Sequence, residues 1–367
     1  MSVVVSMCQN AKINIKNKSG GSLSKSPLEL AHEIAQECIS KAPVIILGSG
    51  ASAAYGIPGM PALKDHLLQA KLPVESSTED VATWKLFTET LQKVDLETAL
   101  TEIRLSDQMT RHVVVTTWEF LAPYDAKVFD EFVADRAMFP LSRLYQHLFK
   151  STHQEINVVT PNYDLLAEYA AEAAELCHYT GFGYGHLRLR AKDNVPRIHY
   201  GKTPARTGNI WKVHGSFDWF RDNAGVVMAL PSSGRRPVTA EPVIVTPGIE
   251  KYRLTHDEPF LSIKQGADSA LQSARAYLCV GYGFNDPHMQ TKLVERCRAE
   301  PVPLVLITKY ISDAAKKFLK TGGCRMYMAL EEHKDGCMLY STDYPDGVEI
   351  PKSHFWRLEN FLSMVIA

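Results

Sequence analysis

A chain of 367 residues with 40 Lys plus Arg against 41 Asp plus Glu carries a formal charge of -1. That balance excludes a general nucleic-acid binder, whose affinity rests on excess positive charge. With 45% hydrophobic and 22% charged residues the composition is globular and excludes disordered, collagenous and coiled-coil classes; at roughly 100–200 residues per domain it makes two units or one elaborated domain.

No apolar run approaches the roughly 18–20 residues of a membrane span, and Val3, Val4 and Val5 are too few for a signal-peptide core. Seven cysteines are scattered without a C-x-x-C pair. Such thiols are expected to be reduced in a cytoplasmic protein, and the missing pairs exclude a zinc ribbon.

Residues 1–25, rich in Lys, Asn, Ser and Gly, read as a flexible N-terminal arm. Ser26-Pro27-Leu28-Glu29 has the capping-box pattern of a helix start, and the helix should reach about Ser40. Pro43–Leu47 is a short continuous apolar run, as expected of a strand buried on both faces. Similar runs recur at Ile156–Thr160, Ile210–His214, Val243–Thr246, Tyr277–Gly281 and Leu304–Thr308. Helical patterns at Leu165–Leu176 and Met289–Arg298 separate them. This alternation predicts an α/β fold, a Rossmann-like doubly wound parallel sheet.

The stretch 63–150 breaks the alternation. Leu86, Leu91, Leu96, Leu100 and Ile103, then Phe129, Phe132, Phe139, Leu144 and Leu148, have helical spacing, which predicts a helical insertion between the first two strands of the sheet. The expected organisation is a core over 26–62 and 151–310, the insertion over 63–150, and a C-terminal extension over 311–367 packing on the core. Arg221–Pro242 reads as a long excursion or hairpin.

Four polar loops end predicted buried strands. Gly48-Ser49-Gly50-Ala51-Ser52 fits a phosphate cradle at a helix start, and equally a tight strand-to-helix turn. The acidic residue that a dehydrogenase carries after its second strand is missing, which disfavours hydride transfer. Asn162-Tyr163-Asp164 stands at a strand's carboxyl end, where open sheets bind ligands, but either polar residue also suits a helix cap. His214, before Gly215 and Ser216, has the chemistry of a general base, although a lone histidine is more often structural. Gly281-Tyr282-Gly283-Phe284-Asn285 would let a nucleotide lie against the backbone, with Phe284 over an adenine, or would serve packing alone.

In this order the loops resemble the sirtuin superfamily, specifically its NAD-hydrolase branch found in bacterial anti-phage defence. The matching residues are Gly48-Ser49-Gly50-Ala51-Ser52 with Gly56-Ile57-Pro58, Asn162-Tyr163-Asp164, Lys212-Val213-His214-Gly215-Ser216, and Gly281-Tyr282-Gly283-Phe284 with Asp286-Pro287-His288. The likeness spans roughly residues 43–310. Departures from the deacylase pattern are the absent four-cysteine module, Thr160-Pro161 in place of a Thr-Gln pair, and Gly59-Met60-Pro61 after Gly-Ile-Pro.

The resemblance implies cleavage of the nicotinamide–ribose bond of NAD to nicotinamide and ADP-ribose, with NAD as substrate and no metal. It implies that Asn162, Asp164 and His214 are catalytic. Gly48, Ser49, Gly50, Ala51, Ser52, Tyr163, Gly215, Ser216, Gly281, Gly283, Phe284 and Asn285 would bind the dinucleotide. It further implies gating by a homo-oligomer or by a separate sensor such as a hexameric DNA-translocase ATPase or a short Argonaute. No direct nucleic-acid or membrane contact is expected. Deacylation or ADP-ribosyl transfer to a protein, and a non-catalytic NAD- or ADP-ribose-binding scaffold, are the competing readings.

Overall fold

Short all-apolar strands set the architecture. In the computed structural model, which describes residues 25–190, 196–231, 234–246, 248 and 257–366, fifteen strands are found. They are β1 (Val44–Leu47), β2 (Glu155–Thr160), β3 (Cys177–Tyr179), β4 (Arg188–Leu189), β5 (His199–Tyr200), β6 (Thr203–Pro204), β7 (Thr207–Lys212), β8 (Gly215–Asp222), β9 (Val227–Ala229), β10 (Ala240–Ile244), β11 (Tyr277–Val280), β12 (Leu304–Ile307), β13 (Tyr327–His333), β14 (Gly336–Ser341) and β15 (Val348–Ile350). Residues 1–24 of the predicted N-terminal arm (1–25) and residues 232–233 of the predicted excursion lie outside the described residues.

Nine strands form one sheet in the order β15-β14-β13-β12-β11-β1-β2-β7-β3. From β13 to β3 every neighbouring pair is parallel. β1, β11 and β12 are buried throughout. Their side chains alternate between two cores, Ile45 and Leu47 entering one and Val44 and Ile46 the other. Helices Pro27–Ser40, Pro140–Leu148 and Leu166–Ala173 supply the first core, and Phe260–Ser273 and Asp313–Phe318 help fill the second. This is the doubly wound arrangement read from the sequence. The first helix starts as expected: Ser26 Oγ accepts from the Glu29 amide and the Glu29 carboxylate accepts from the Ser26 amide.

Two expectations need correction. The Val243–Thr246 run is not a parallel strand: β10 pairs antiparallel with β8 in a second sheet, β10-β8-β9-β4. A short apolar run reports burial, not direction. The turn out of the main sheet is made at Gly215, whose φ is 88° and where a Cβ would meet Val243 O at 2.3 Å. Second, the sheet continues past residue 310. β13 is its seventh parallel strand, and β14 and β15 extend it antiparallel. A two-residue turn, Lys334-Asp335 before Gly336, joins β13 to β14 with Lys334 at positive φ.

Between β1 and β2 the chain is helical over Met60–Leu68, Thr78–Lys93, Leu96–Glu102 and Asp107–Ala134. Trp84, Phe87 and Leu91 form the buried face of the second of these, while Leu86 is exposed. Their core includes Phe217, Phe220 and Ile244 of the small sheet, and Trp118 Nε1 donates to Phe217 O at 2.9 Å. The helices thus form a roof over the carboxyl ends of β1, β2 and β7.

Candidate functional site

Because β11, β1, β2 and β7 are consecutive in the sheet, the loops after them are neighbours although they lie far apart in sequence. β1 is also where the strand order reverses, so the loops surround the switch-point crevice where open α/β sheets bind ligands. A cavity of about 290 Å³ lies there, lined by Ser49 and Ser52, Asn162 and Asp164, His214, and Asn285 and Asp286, with Gly48, Tyr163 and Gly283 also on its wall. The roof adds Met60, Leu63, Asp95, Leu96, Glu97 and Leu121. Apart from Met60, of the Gly59-Met60-Pro61 stretch, those roof residues belong to no motif, and none was expected at the site.

The two glycine loops are packed backbone against backbone. Gly48 N donates to Val280 O at 3.0 Å and Gly50 N to Gly281 O at 3.1 Å. A Cβ on Gly48 would sit 2.3 Å from Gly281 O, and one on Gly281, whose φ is 59°, 2.3 Å from Ala51 N. Ala51 N donates back to Gly48 O. The amides of Gly48, Gly50 and Ala51 are therefore engaged within the protein, and the open phosphate cradle expected of them is not present in this form. The glycines serve close loop packing, and Gly50, Ala51 and Gly281 are not on the cavity wall.

Asn162 faces the glycine loop and not the helix behind it. Its Nδ2 donates to Gly48 O at 2.9 Å and to Ser52 Oγ at 2.8 Å. Ser52 Oγ in turn donates to Asp164 Oδ2 at 2.6 Å, so that hydroxyl must accept from Asn162. This fixes the amide's orientation and leaves Oδ1 as its acceptor. Asp164 Oδ1 also accepts from Leu166 N at 3.3 Å, but the helix Leu166–Ala173 has Leu165 as its N-cap and no side-chain cap bond, so neither Asn162 nor Asp164 caps it. Thr160 Oγ1 donates to Leu47 O at 2.9 Å and accepts from Asn162 N at 3.0 Å, clamping β2 to β1 where both loops begin.

His214 Nε2 lies 3.0 Å from Asp286 Oδ2. The loop after β7 and the loop after β11 meet at this pair, and the sequence reading gave His214 no such partner. The imidazole thus faces a carboxylate through Nε2, with Nδ1 as its other ring nitrogen. The His288 side chain lies outside the described residues.

Several predicted binding residues are buried or have their polar groups engaged within the protein. Phe284 is 2% exposed and stacks on Phe318 with ring centroids 5.1 Å apart, so it offers no open platform for an adenine. Its place in the second core explains this. Gly215 makes the turn described above, and Ser216 is buried with Oγ 3.4 Å from Tyr163 O. Tyr163 lines the cavity but commits its hydroxyl to Val245 O at 2.6 Å.

Behind the cleft, Lys212 is fully buried, donates to the Asp164 carbonyl and lies 3.1 Å from Glu168 Oε1. Burial pulls its pKa down, but the carboxylates of Glu168, Asp164 and Asp218 outweigh this and keep it protonated. Asp125 anchors the same loop, accepting from Leu165 N at 2.8 Å. Burial, opposed by that bond, pushes its carboxyl up to about 7.

Fold and cleft define a doubly wound α/β protein with a cavity at its switch point. Residues 156–327 match the family model of the SIR2-like domain. Among curated proteins none matches it in sequence. Among solved structures, one described under the mechanism and regulation of Sir2 enzymes is 12% identical, with a TM-score of 0.44 over 91% of this chain and 97% of that one. A Sir2 homologue mutant in complex with ADP-ribose is 13% identical, with a TM-score of 0.42 over 77% and 86%. A Sir2 homologue in complex with NAD is 13% identical, with a TM-score of 0.40 over 85% and 90%. Among the described residues no helix is long and apolar enough to cross a membrane.

Proposed function

We propose that this chain hydrolyses NAD to nicotinamide and ADP-ribose. The observation that carries the reading is the convergence of Asn162, Asp164 and His214 on one cavity. Its wall also holds the carboxylates of Asp95, Glu97 and Asp286, and no lysine or arginine among the described residues. Nicotinamide is positively charged in NAD and leaves neutral, so no general acid is needed. Positive charge develops on the ribose as the bond breaks, and a wall of carboxylates favours that charge.

In this reading Asn162 Oδ1 accepts from a ribose hydroxyl or from the attacking water, and Asp164 holds Asn162 in place through Ser52. His214 takes the proton of the nucleophile at Nδ1, steadied by Asp286. With the Gly48, Gly50 and Ala51 amides engaged, the pyrophosphate falls to Ser49 Oγ and to the Gly283–Asn285 loop. An unrestrained activity of this kind would exhaust the host cell's own NAD. The reading therefore includes gating, by self-association or by a separate sensor protein, in a bacterial anti-phage defence system.

The test is NAD turnover by the purified chain, alone and with the product of a neighbouring gene, with products resolved chromatographically. Equal amounts of nicotinamide and ADP-ribose are expected. NAD bound but never consumed under either condition would make the chain a scaffold, and O-acyl-ADP-ribose among the products would make it a deacylase.

A further inference from the structure

A second cavity, of about 480 Å³, lies on the other side of the Asn162–Asp164 loop's supporting helix, between Leu166–Ala173 and the small sheet. Glu168, Glu172 and Asp218 line it against one cation, Arg188, together with His178. Arg188 is already committed: its Nη2 donates to Asp218 Oδ2 at 2.8 Å and to Leu230 O at 2.7 Å. His178 is kept neutral, chiefly by burial.

Two of the carboxylates are under-satisfied. Glu168 is 4% exposed and Asp218 3% exposed. Among the described residues, neither Glu168 oxygen receives a hydrogen bond, and Asp218 Oδ1 has no partner. Lys212, on the far side of Glu168, pairs with Oε1 at 3.1 Å and leaves Oε2 without a cation. Buried carboxylate oxygens without donors are costly, and each such group in a native protein calls for a water or a ligand. Phe129 and Tyr184, both on the cavity wall and both partly exposed, present aromatic faces of the kind that attract a cation.

We propose that this cavity is a binding site for a small organic cation, an amine or guanidinium with an apolar body. The charged head donates to Glu168 Oε2 and Asp218 Oδ1, and the body lies against the aromatic wall. A metal ion is not the fit, because no group of three His, Cys, Asp or Glu able to hold one occurs among the described residues. The proposal does not rest on the hydrolase reading, since the cavity shares no lining residue with the cleft.

Calorimetric titration of the full chain with benzylamine, tyramine and agmatine, against benzyl alcohol and tyrosol as neutral counterparts, tests it. At least one amine or guanidinium should bind about tenfold or more tighter than its neutral counterpart, and Glu168→Gln or Asp218→Asn should abolish that preference. Glu168→Gln also strips Lys212 of its counter-ion, so Glu172→Gln, at the exposed rim, is the second variant, with a loss of about two- to fivefold expected. Equal binding of charged and neutral compounds overturns the proposal. So does the absence of binding to a chain that circular dichroism shows to be folded, which would leave the carboxylates to ordered water.

Discussion

His214 and Asp286, one from the loop after β7 and the other from the loop after β11, meet across the cleft with Nε2 3.0 Å from Oδ2. The contact spans β2 and β1, the two strands that separate β7 from β11. It sets the imidazole against a carboxylate, the kind of neighbour that orients a catalytic base.

Replacement of His214 by Ala is expected to lower nicotinamide release by about 10²–10⁴-fold. Asp286→Asn should lower it by a smaller factor, because the imidazole remains but loses its carboxylate. Melting temperatures for both should stay near the parent's. A His214→Ala protein that hydrolyses NAD at the parent rate removes this residue from the mechanism.

Asn162→Ala removes the donor to Gly48 O and Ser52 Oγ. Left without it, the Ser52–Asp164 pair should cost about 1–3 kcal/mol of stability, read by urea unfolding, and turnover should fall much further than stability. Asn162→Asp would set a carboxylate against Gly48 O and should be no more active than Asn162→Ala.

Gly281→Ala and Gly56→Ala separate close packing from backbone conformation. Both glycines have positive φ, 59° and 78°, but a Cβ on Gly56 meets nothing within 4 Å. Gly56→Ala should cost about 1–2 kcal/mol, the left-handed penalty alone. Gly281→Ala adds the 2.3 Å clash with Ala51 N and should cost distinctly more in chemical denaturation. Equal losses would mean that the two loops part freely.

Asp125 makes stability depend on pH. Its carboxyl, pushed up to about 7 by burial, holds its proton in the native state where the unfolded chain has lost it. Its contribution is whole below about pH 4 and is lost as pH rises through about 7. Asp125→Asn, which keeps an acceptor for Leu165 N, should flatten the fall in melting temperature between pH 5 and 8. An unchanged slope would place the proton elsewhere.

Much of the fold was legible because strands buried on both faces leave unbroken apolar runs, as in Val44–Leu47, Tyr277–Val280 and Leu304–Ile307. Direction was not, since Val243 and Ile244 look the same in an antiparallel sheet. The convergence of Asn162, Asp164 and His214 followed from each residue ending a strand. What escaped was whatever depended on tertiary partners. Asp286 looked like part of a loop motif, Phe284 like a platform, and the Gly48–Ala51 amides looked free until Val280 and Gly281 were seen to take two of them. Asp95 and Glu97 carried only the signature of a helix start, and Asp95 does cap Leu96–Glu102, accepting from Thr98 N at 3.0 Å.

The roof over the cleft comes from one uninterrupted stretch between β1 and β2, whereas the floor is assembled from four strand ends. Access and chemistry are thereby separable: a change in length within that stretch alters the roof without shifting the hydrogen-bond register of any strand below it.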